Sequence, residues 1–407
     1  MTRAAGDSAY ERATDYAYDG LNRPRKETQY PSWPTTSPTL ATSTTYDANG
    51  NVTSVAKPDN TTLSYTYDAL NRLTNRLSPS VTYTLDADGN RQTMADPTGT
   101  TSYQYDELDR LTSVTSPGSV VVGYRLDLDG NRRKVIYPDS TAVTYTLDKA
   151  DRLQSLQDWA SRTTSYGYFP DGNVQTVTNV NGTTATMTED NAQRLTQVWT
   201  KLPGGGTIGQ HAYTLDNVGN RTQLQETVAK VGGGSSTYTL PYGLDRLYEL
   251  TSAGQPSGPA NAYTYDPVGN RLTATNGPTM TYGSADRVTT TFYQSDPNGN
   301  LTTTPSGHLS YDGANRLTLA NVASGRDTYT LDGDGKRTQT VEAAGTSTTN
   351  TYVYDVGRSP SCSSRPSRAS PGRPPTSTCG AWAWPTAWTR PARSPWTTWT
   401  AWARCGR

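Results

Sequence analysis

The sequence predicts an all-β fold, a long antiparallel sheet of repeated β-hairpins. Composition is the first observation behind this prediction, because Thr, Tyr, Asn, Asp and Gly dominate and together suit strands joined by tight turns. Alternation is the second: Tyr83 and Leu85 alternate with Thr at the period of two that is typical of a half-buried strand. The third is a turn that recurs about every 21 residues, which indicates one supersecondary unit stacked on its neighbours.

Composition also limits the kind of core and the partners. Only 32% of residues are hydrophobic, and 27 Tyr stand against 2 Phe. Tyr buries its ring while its hydroxyl stays in water, so we expect a large sheet with Tyr faces rather than a single apolar core. The 36 basic and 36 acidic residues balance, with a pI near 6.7, so no net field attracts nucleic acid or an anionic membrane. We therefore predict no nucleic-acid partner.

Cysteines and targeting signals point to no particular compartment. Cys362, Cys379 and Cys405 all lie near the C-terminus, so the body of the chain needs no disulfide or thiol chemistry. No apolar run approaches the roughly 18 to 20 residues of a membrane helix, and residues 1–16 lack the apolar segment of a secretory signal. We expect no membrane span, and either the chain stays inside the cell or it is a piece whose export signal lies elsewhere.

Each repeat begins its turn at an aspartate, which we call the anchor. The anchors are Asp19, Asp47, Asp68, Asp86, Asp106, Asp127, Asp148, Asp190, Asp216, Asp266, Asp296, Asp312, Asp332 and Asp355. Three further units keep the turn but carry Phe169, Tyr242 or Gly283 in the place of the anchor. This arrangement predicts about 17 units of about 21 residues, and each unit can hold two strands of ordinary length.

The turns fall into two classes that alternate along the chain. In the Asn-Arg class, Asn, Asp or Gln precedes Arg; in the Gly-Asn class, Gly precedes Asn or Lys. Both classes place a residue that tolerates positive φ three positions after the anchor, with Gln193 the exception, and the anchor carboxylate can accept hydrogen bonds from amides of its own turn. We predict a structural role for these turn positions: Asp68, Asn71, Arg72, Asp86, Gly89, Asn90, Asp106, Arg110, Asp127, Gly130, Asn131, Asp266, Gly269 and Asn270.

Strand and turn together form the patterns Y-x-Y-D-x-x-N-R-L-T and Y-x-x-D-x-x-G-N-R. These patterns resemble the YD repeat of the RHS/YD-repeat family, which includes bacterial RHS proteins, shell subunits of insecticidal toxin complexes and animal teneurins. The resemblance covers residues 16–358. It implies an antiparallel sheet that spirals into an open or partial β-shell, which in the bacterial members encloses a C-terminal toxin. It also implies a secreted or cell-surface location, by a route that this chain does not indicate.

We predict two parts, with residues 1–358 as the repeat sheet and residues 359–407 as a Pro/Ser/Arg/Trp-rich tail. The tail has no anchor, and its composition is typical of a disordered linker. The genetic code offers a second interpretation, because with common codons a shift of one nucleotide turns residues 381–384 into Leu-Gly-Leu-Gly. Residues 398–403 then become similar to the D-G-L-G run that follows the repeats in RHS proteins. We predict that the tail is frameshifted and disordered, and sequencing the gene tests this.

Candidate catalytic and metal-binding residues have a simpler structural explanation. The turns at Asp86, Asp127 and Asp332 resemble the start of an EF-hand loop, but the twelfth position lacks the required Glu, which favours turn formation over calcium binding. His211 and His308 are the two histidines, and neither has a Ser or Cys motif nearby that would form a catalytic triad. We predict no catalytic residue, no metal site and no cofactor.

The Arg of each Asn-Arg turn could form a ladder that binds an anionic polymer. The ladder would contain Arg72, Arg110, Arg152, Arg194, Arg246, Arg287 and Arg316. The interpretation we favour pairs each Arg with a neighbouring turn Asp along the sheet, in agreement with the zero net charge. Tyr ladders suggest carbohydrate stacking in the same way, although cross-strand packing explains them first.

These observations favour a non-catalytic structural protein, a fragment of an RHS shell that encapsulates or presents a C-terminal toxin or effector. Its expected partners are the remainder of the shell and that cargo. The alternative is a cell-surface adhesin or carbohydrate-binding repeat module whose partners are surface glycans, and a hydrolase comes third. The open sheet of a fragment leaves strand edges unpaired, so we also predict oligomerisation or aggregation.

Overall fold

The structure, a computed structural model, describes residues 13–30, 40–230, 232–283, 286–323, 325–343 and 347–356. Every regular element in these ranges is a β-strand, which confirms the all-β prediction. Across the same ranges, no helix is long and apolar enough to cross a membrane. The predicted tail, residues 359–407, lies outside the described residues.

The first sheet contains 24 strands, and each strand pairs antiparallel with the next one along the chain. Its strands are β1 (Ala13–Tyr18), β2 (Pro24–Tyr30), β3 (Leu40–Tyr46), β4 (Val52–Ala56), β5 (Thr62–Tyr67), β6 (Leu73–Leu77), β7 (Val81–Leu85), β8 (Arg91–Asp96), β9 (Gly99–Tyr105), β10 (Leu111–Ser116), β11 (Val120–Leu126), β12 (Arg132–Ile136), β13 (Ala142–Leu147), β14 (Leu153–Gln157), β15 (Thr163–Tyr168), β16 (Val174–Thr178), β17 (Thr184–Glu189), β18 (Leu195–Lys201), β19 (Thr207–Leu215), β20 (Arg221–Ala229), β21 (Ser235–Leu244), β22 (Leu250–Ala253), β23 (Asn261–Tyr265) and β24 (Arg271–Ala274). Among the described residues, β1 and β24 each pair on one side, so the sheet is open.

A second sheet of seven strands follows the first. Its strands are β25 (Gln294–Ser295), β26 (Leu301–Thr304), β27 (Gly307–Tyr311), β28 (Leu317–Val322), β29 (Gly325–Leu331), β30 (Arg337–Ala343) and β31 (Thr348–Thr351). Between the sheets, an isolated bridge joins Tyr282 to Val288. The predicted long antiparallel arrangement of hairpins is therefore confirmed, and it is divided into two sheets.

One turn geometry builds most of the hairpins. In the turn after β5, the Asp68 amide donates to the Arg72 carbonyl at 2.9 Å, and the Asn71 amide donates to the Asp68 carbonyl at 3.0 Å. Asn71 has a φ of 61°, which Asn adopts more readily than most residues. The pairing register shifts between Thr66 and Tyr67, as expected of the β-bulge that accompanies a three-residue hairpin loop. A short local sequence therefore suffices to reverse the chain.

Successive turns lie on alternate edges of the sheet, because each strand reverses the chain direction. We call one of them the anchor edge; it carries the turns that begin at Asp19, Asp47, Asp68, Asp86, Asp106, Asp127, Asp148, Phe169, Asp190, Asp216, Asp245, Asp266, Gly283, Asp296, Asp312 and Asp332. The remaining turns form the opposite edge. Several of these repeat the same geometry, with Asn60, Ser140, Ser161 or Gly182 at positive φ. The sequence analysis missed them because their first residue varies.

One anchor differs from the prediction. The turn assigned to Tyr242 begins instead at Asp245, whose amide donates to the Glu249 carbonyl at 3.0 Å. The Asp245 carboxylate accepts two amides of the turn at 2.8 and 2.9 Å, which a Tyr side chain could not do. Tyr242 lies within β21, and Tyr248 adopts the positive φ. The assignment of Tyr242 as an anchor and of Arg246 to the Arg ladder is therefore wrong, because here the turn begins at the residue whose carboxylate accepts the turn amides.

The two faces of the first sheet differ in burial. In β7, Val81 and Tyr83 are buried whereas Thr82 and Thr84 are exposed, and we call these sides the Tyr face and the Thr face. The buried hydrophobic residues of the Tyr face form two clusters. They contain Val81, Tyr83 and Met94 in one, and Val114, Val122, Tyr124 and Val135 in the other. Both clusters lie between β7 and β12, so the well-packed core occupies a short part of the sheet.

Candidate functional site

The most regular polar structure of the described chain runs along the anchor edge. In the Asn-Arg turn at Asp68, Oδ1 accepts the Leu70 and Arg72 amides at 2.9 Å each, and Oδ2 accepts Arg72 Nε at 2.6 Å. Arg72 Nη1 also donates to the Asp86 carbonyl of the next turn at 2.9 Å. The favoured pairing of each Arg with a neighbouring turn Asp is therefore wrong here. The turn brings the carboxylate of its own anchor onto Nε, and the neighbour is reached through a backbone carbonyl.

In the Gly-Asn turn, Asn90 takes the place of Arg. Asp86 Oδ1 accepts the Asn90 amide at 2.7 Å, and Oδ2 accepts Asn90 Nδ2 at 3.1 Å. The same Nδ2 donates to Asp109 Oδ1 of the following turn at 2.8 Å. Gly89 has a φ of 96°, which L side chains rarely adopt, so this position needs glycine.

Both links recur along the edge and explain why the two classes alternate. The Arg-to-carbonyl link is also made by Arg23, Arg110, Arg194, Arg287 and Arg316. The Asn link to the following turn is also made by Asn51, Asn131, Asn270 and Asn300. Where both links are made, an Arg turn reaches the next Asn turn, and that Asn turn reaches the next Arg turn. The anchor edge is a nearly continuous hydrogen-bonded ladder to which the turn positions singled out in the sequence contribute.

The Tyr that precedes the anchor has a constant position as well. Tyr67 Oη donates to the Val52 carbonyl at 2.9 Å, and Tyr168 Oη donates to the Leu153 carbonyl at 2.7 Å. The Arg152 guanidinium lies 4.5 Å from the centre of the Tyr168 ring, a cation–π distance. These contacts use both the ring and the hydroxyl of the Tyr within the sheet.

Most anchor carboxylates of the first sheet have a lowered pKa, which favours the ionised form. The hydrogen bond from the Arg72 amide, opposed by burial, holds the pKa of Asp68 below its ordinary value. The Arg110 side chain does the same for the pKa of Asp106. Asp332 is different, because burial where the two sheets meet raises its pKa.

We expect the stability of the fold to decrease in acid. A carboxyl with a lowered pKa stabilises the fold above its unfolded pKa of about 4, and this contribution is lost as the pH falls through the lower folded pKa. Asp68 and Asp106 act in this direction, as do most anchors, whereas Asp332 acts in the opposite direction. Thermal unfolding followed by circular dichroism should show Tm falling steeply below about pH 4. Asp68→Asn should remove part of that slope, and a Tm independent of pH would contradict the expectation.

The anchor edge of the second sheet contacts the opposite edge and Tyr face of the first, and we call this contact the seam. At one end of the seam, Asn298 Nδ2 donates to Asp59 Oδ2 at 2.6 Å. Beside it, Lys57 Nζ donates to the Gly313 carbonyl and to Asn315 Oδ1. Turns of the second sheet therefore contact turns of the first sheet, through residues that lie 239 to 258 positions apart in the sequence.

The turn tip at Gly333 fits closely against the first sheet. Its amide donates to Asp96 Oδ2 at 2.6 Å, and its carbonyl accepts Arg76 Nη2 at 2.7 Å. A Cβ at this position would lie 2.7 Å from Val81 Cγ1 and 2.8 Å from Met94 Sδ. Val81 and Met94 are both 0% exposed, so the side-chain space is full and glycine is required.

Two ion pairs extend the seam across the Tyr face. Arg91 Nη1 donates to both oxygens of Asp334 at 2.9 Å. Arg132 is 8% exposed, donates to Asp355 and lies 5.2 Å from the centre of the Tyr145 ring. Burial raises the pKa of Tyr145 to about 12, so its hydroxyl stays neutral at physiological pH. The charged groups at this end of the seam are therefore paired and largely shielded from solvent.

The sequence analysis missed the residues of the seam. They include Lys57, Asp59, Arg91, Asp96 and Arg132. Their partners lie between 223 and 258 positions away, and no local pattern marks such a distance. A partial signal was the glycine that follows the anchor at Gly313 and Gly333, although Gly20 occupies the same position in the Asp19 turn without a close contact.

The remaining candidate residues lie apart from these networks. His211 Nε2 contacts Glu226 Oε1 at 3.1 Å between β19 and β20, and His308 Nδ1 contacts Thr303 Oγ1 at 3.4 Å. In the part of the chain that the structure describes, no group of three or more His, Cys, Asp or Glu side chains is arranged to hold a metal ion. The Asp86 carboxylate, considered for calcium, binds the Asn of its own turn.

The fold and the hydrogen bonds along the anchor edge define a class of protein. It is a repeat sheet of antiparallel hairpins whose turns are joined along one edge by alternating Arg and Asn side chains. Residues 46–80 and 86–121 match the family model of the RHS Repeat. These two segments are RHS repeats, and the resemblance predicted from the YD pattern is confirmed. None of the curated proteins matches the chain.

Solved toxin structures resemble this chain at low sequence identity. A structure of the Tc holotoxin pore of Photorhabdus luminescens shares 14% identity with a TM-score of 0.48, over 83% of this chain and 23% of that chain. A crystal structure of TcdB2–TccC3 shares 15% identity with a TM-score of 0.41, over 85% of this chain and 25% of that chain. The chain thus spans about a quarter of the length of these solved chains.

Proposed function

We propose that this chain is a wall segment of an RHS-type shell, whose structural role is to enclose or present a C-terminal toxin or effector outside the cell. The observation that carries the proposal is the seam. A sheet whose later anchor edge rests on its earlier opposite edge is a spiral, and its successive coils support one another. Such a wall encloses space without needing a ligand pocket. The RHS repeats at residues 46–80 and 86–121 support the same role.

The path of the chain supports the inference that the Tyr face of the wall is the side that faces the cargo. After β31, residues 352–356 cross onto the Tyr face. The Val356 amide donates to the Tyr124 hydroxyl at 3.1 Å, and Val353 packs against the buried cluster around Val135. A polypeptide that continues from residue 356 therefore starts on the Tyr face, and we infer that the cargo lies on that side.

Protection of the downstream segment from protease tests this proposal. Sequencing past codon 358 should reveal, in the alternate frame, the D-G-L-G run followed by a coding sequence for a cargo. In protein expressed from the restored frame, added protease should spare that cargo while the wall is folded and digest it after acid unfolding. Stop codons in the alternate frame, or a cargo digested as fast as the same segment expressed alone, would count against a shell.

A glycan array separates the adhesin interpretation from the shell. The hydroxyls of Tyr67 and Tyr168 bind backbone carbonyls, and the Tyr168 ring is covered by Arg152. Because these groups are already engaged within the sheet, we expect no saturable binding of a defined glycan to the purified chain. Saturable binding would favour the adhesin.

A further inference from the structure

We propose that this protein associates head to tail, with the anchor edge of one copy docked on the opposite edge of a second copy. The occupant of each free edge is therefore a second copy of this chain. The inference goes beyond the proposed function, because it concerns the outer edges of the wall and holds with or without a cargo.

The seam within one chain shows that the two kinds of edge fit each other. There, the turns at Asp312 and Asp332 meet opposite-edge residues from Lys57 to Asp96. The seam occupies only part of each edge. The opposite edge from Asp158 onward and the anchor edge of the first sheet are continuous with it and carry exposed side chains in the described structure.

The free part of the opposite edge carries a row of apolar side chains. Trp159 is 51% exposed, Val180 59% and Leu202 51%, and they lie in three consecutive opposite-edge turns. Consecutive turns on one edge are two strands apart, which is roughly 10 Å. Exposed apolar side chains at regular spacing on one edge indicate an interaction surface.

The anchor edge of the first sheet carries a matching row. Leu21 is 72% exposed, and Leu70 and Leu108 are each 68% exposed. All three occupy the second position after the anchor in alternate anchor turns, so neighbouring leucines are roughly 19 Å apart. The leucines are twice as far apart as the apolar side chains of the opposite edge. Successive leucines can therefore contact every second opposite-edge turn of a docked copy.

The second position after the anchor is already a contact position in the seam. Asn298 and Asp334 occupy it there, and they bind Asp59 and Arg91 of the first sheet. The contacts made by this turn position in the seam are polar, whereas the rows of leucines and of Trp159, Val180 and Leu202 on the free edges are apolar. Packing one apolar row against the other removes both from water, which is favourable. A polar partner would bury less apolar surface and would therefore bind with a smaller gain in free energy.

Charge adds a second element of complementarity. Asp88 and Asp129 are exposed at the same turn position as Asp334, in the two Gly-Asn turns on either side of the leucine turn at Asp106. Arg162 lies on the free opposite edge, where its side chain is 56% exposed and pairs with Asp158 of its own turn. In the seam, Asp334 at this position pairs with Arg91, which begins β8 beside the anchor edge, so an Asp at this turn position can bind an Arg of another coil. Association of one edge with a different edge is heterologous, so it adds further copies and extends into filaments unless the rotation between copies closes a ring.

Sedimentation velocity on the full chain tests the proposal with two blocked variants. The first, Leu70→Lys with Leu108→Lys, blocks the anchor edge; the second, Val180→Lys with Leu202→Lys, blocks the opposite edge. We expect the wild type to form species larger than dimers as concentration rises. Each variant alone should self-associate about 100-fold more weakly, since burial of two apolar side chains is lost. An equimolar mixture of the two should form a one-to-one complex and nothing larger, because each variant keeps one working edge.

The control is Thr239→Lys on the Thr face, an exposed position in the middle of the ten-residue strand β21, away from both edges. It should associate like the wild type. Complex formation in the mixture also shows that both blocked variants are folded. A wild type that stays monomeric at its highest soluble concentration would overturn the proposal. So would variants that still polymerise, which would point to pairing of strand edges such as β1, or a mixture that forms no complex.

Discussion

Replacing Gly333 by Val is expected to separate the second sheet from the first. A Cβ at this position would lie 2.7 Å from Val81 Cγ1 and 2.8 Å from Met94 Sδ, both closer than carbon and sulfur atoms approach. Overpacking of this kind costs about 1–3 kcal/mol, and the turn can avoid it by moving away from the first sheet. Hydrogen exchange should therefore accelerate at the Gly333 amide, which donates to Asp96, and in β29 and β30.

The matched control is Ala87→Val. Ala87 follows the anchor Asp86 as Gly333 follows Asp332, but it is exposed on the free anchor edge. A valine side chain at this exposed position should leave the hydrogen exchange of the seam unchanged. Equal exchange in the Gly333→Val variant and the wild type would show that the seam does not hold the two sheets together.

Removing the carboxylate of Asp355 is expected to cost about 3–5 kcal/mol of unfolding free energy. Arg132 is 8% exposed and donates to Asp355, so the substitution Asp355→Ala leaves a guanidinium charge in a shielded site. Chemical denaturation measures the loss. The double variant Arg132→Met with Asp355→Leu removes both charges and should recover most of the stability, since the buried charge is the source of the penalty.

The Arg91–Asp334 pair provides the comparison. It has the same chemistry, but the Arg91 side chain is 34% exposed, so solvent compensates for a lost partner. Asp334→Ala should therefore cost about 1 kcal/mol or less. If Asp334→Ala costs as much as Asp355→Ala, burial is not what distinguishes the two pairs.

The hairpins could be predicted because each turn is decided by five neighbouring residues. The carboxylate of Asp68, the left-handed Asn71 and the donors of Arg72 all lie within one turn. The one misplaced anchor shows the limit of the pattern. Tyr242 continued the spacing of the repeat, but Asp245 had a carboxylate that accepts two amides of the turn.

The ladder between turns could be predicted only in part. The alternation of Arg and Asn is visible in the sequence, and it proved to be a set of links along one edge. Its geometry was not visible, because Arg72 could pair with the Asp of its own turn or of the next. The structure shows Nε on Asp68 and Nη1 on the Asp86 carbonyl, a division that depends on how closely adjacent hairpins lie.

By itself, the sequence determined where this protein turns and which face of each strand is apolar, since both follow from interactions within a few residues. Only the tertiary structure decided which turns meet. Lys57 reaches Gly313 across 256 residues, and Arg132 reaches Asp355 across 223. The number of residues between two contacting turns depends on how far the sheet curves. That curvature is the small twist between neighbouring strands, summed over more than twenty strands. No single residue encodes that sum, so the seam becomes visible only when the sheet is built.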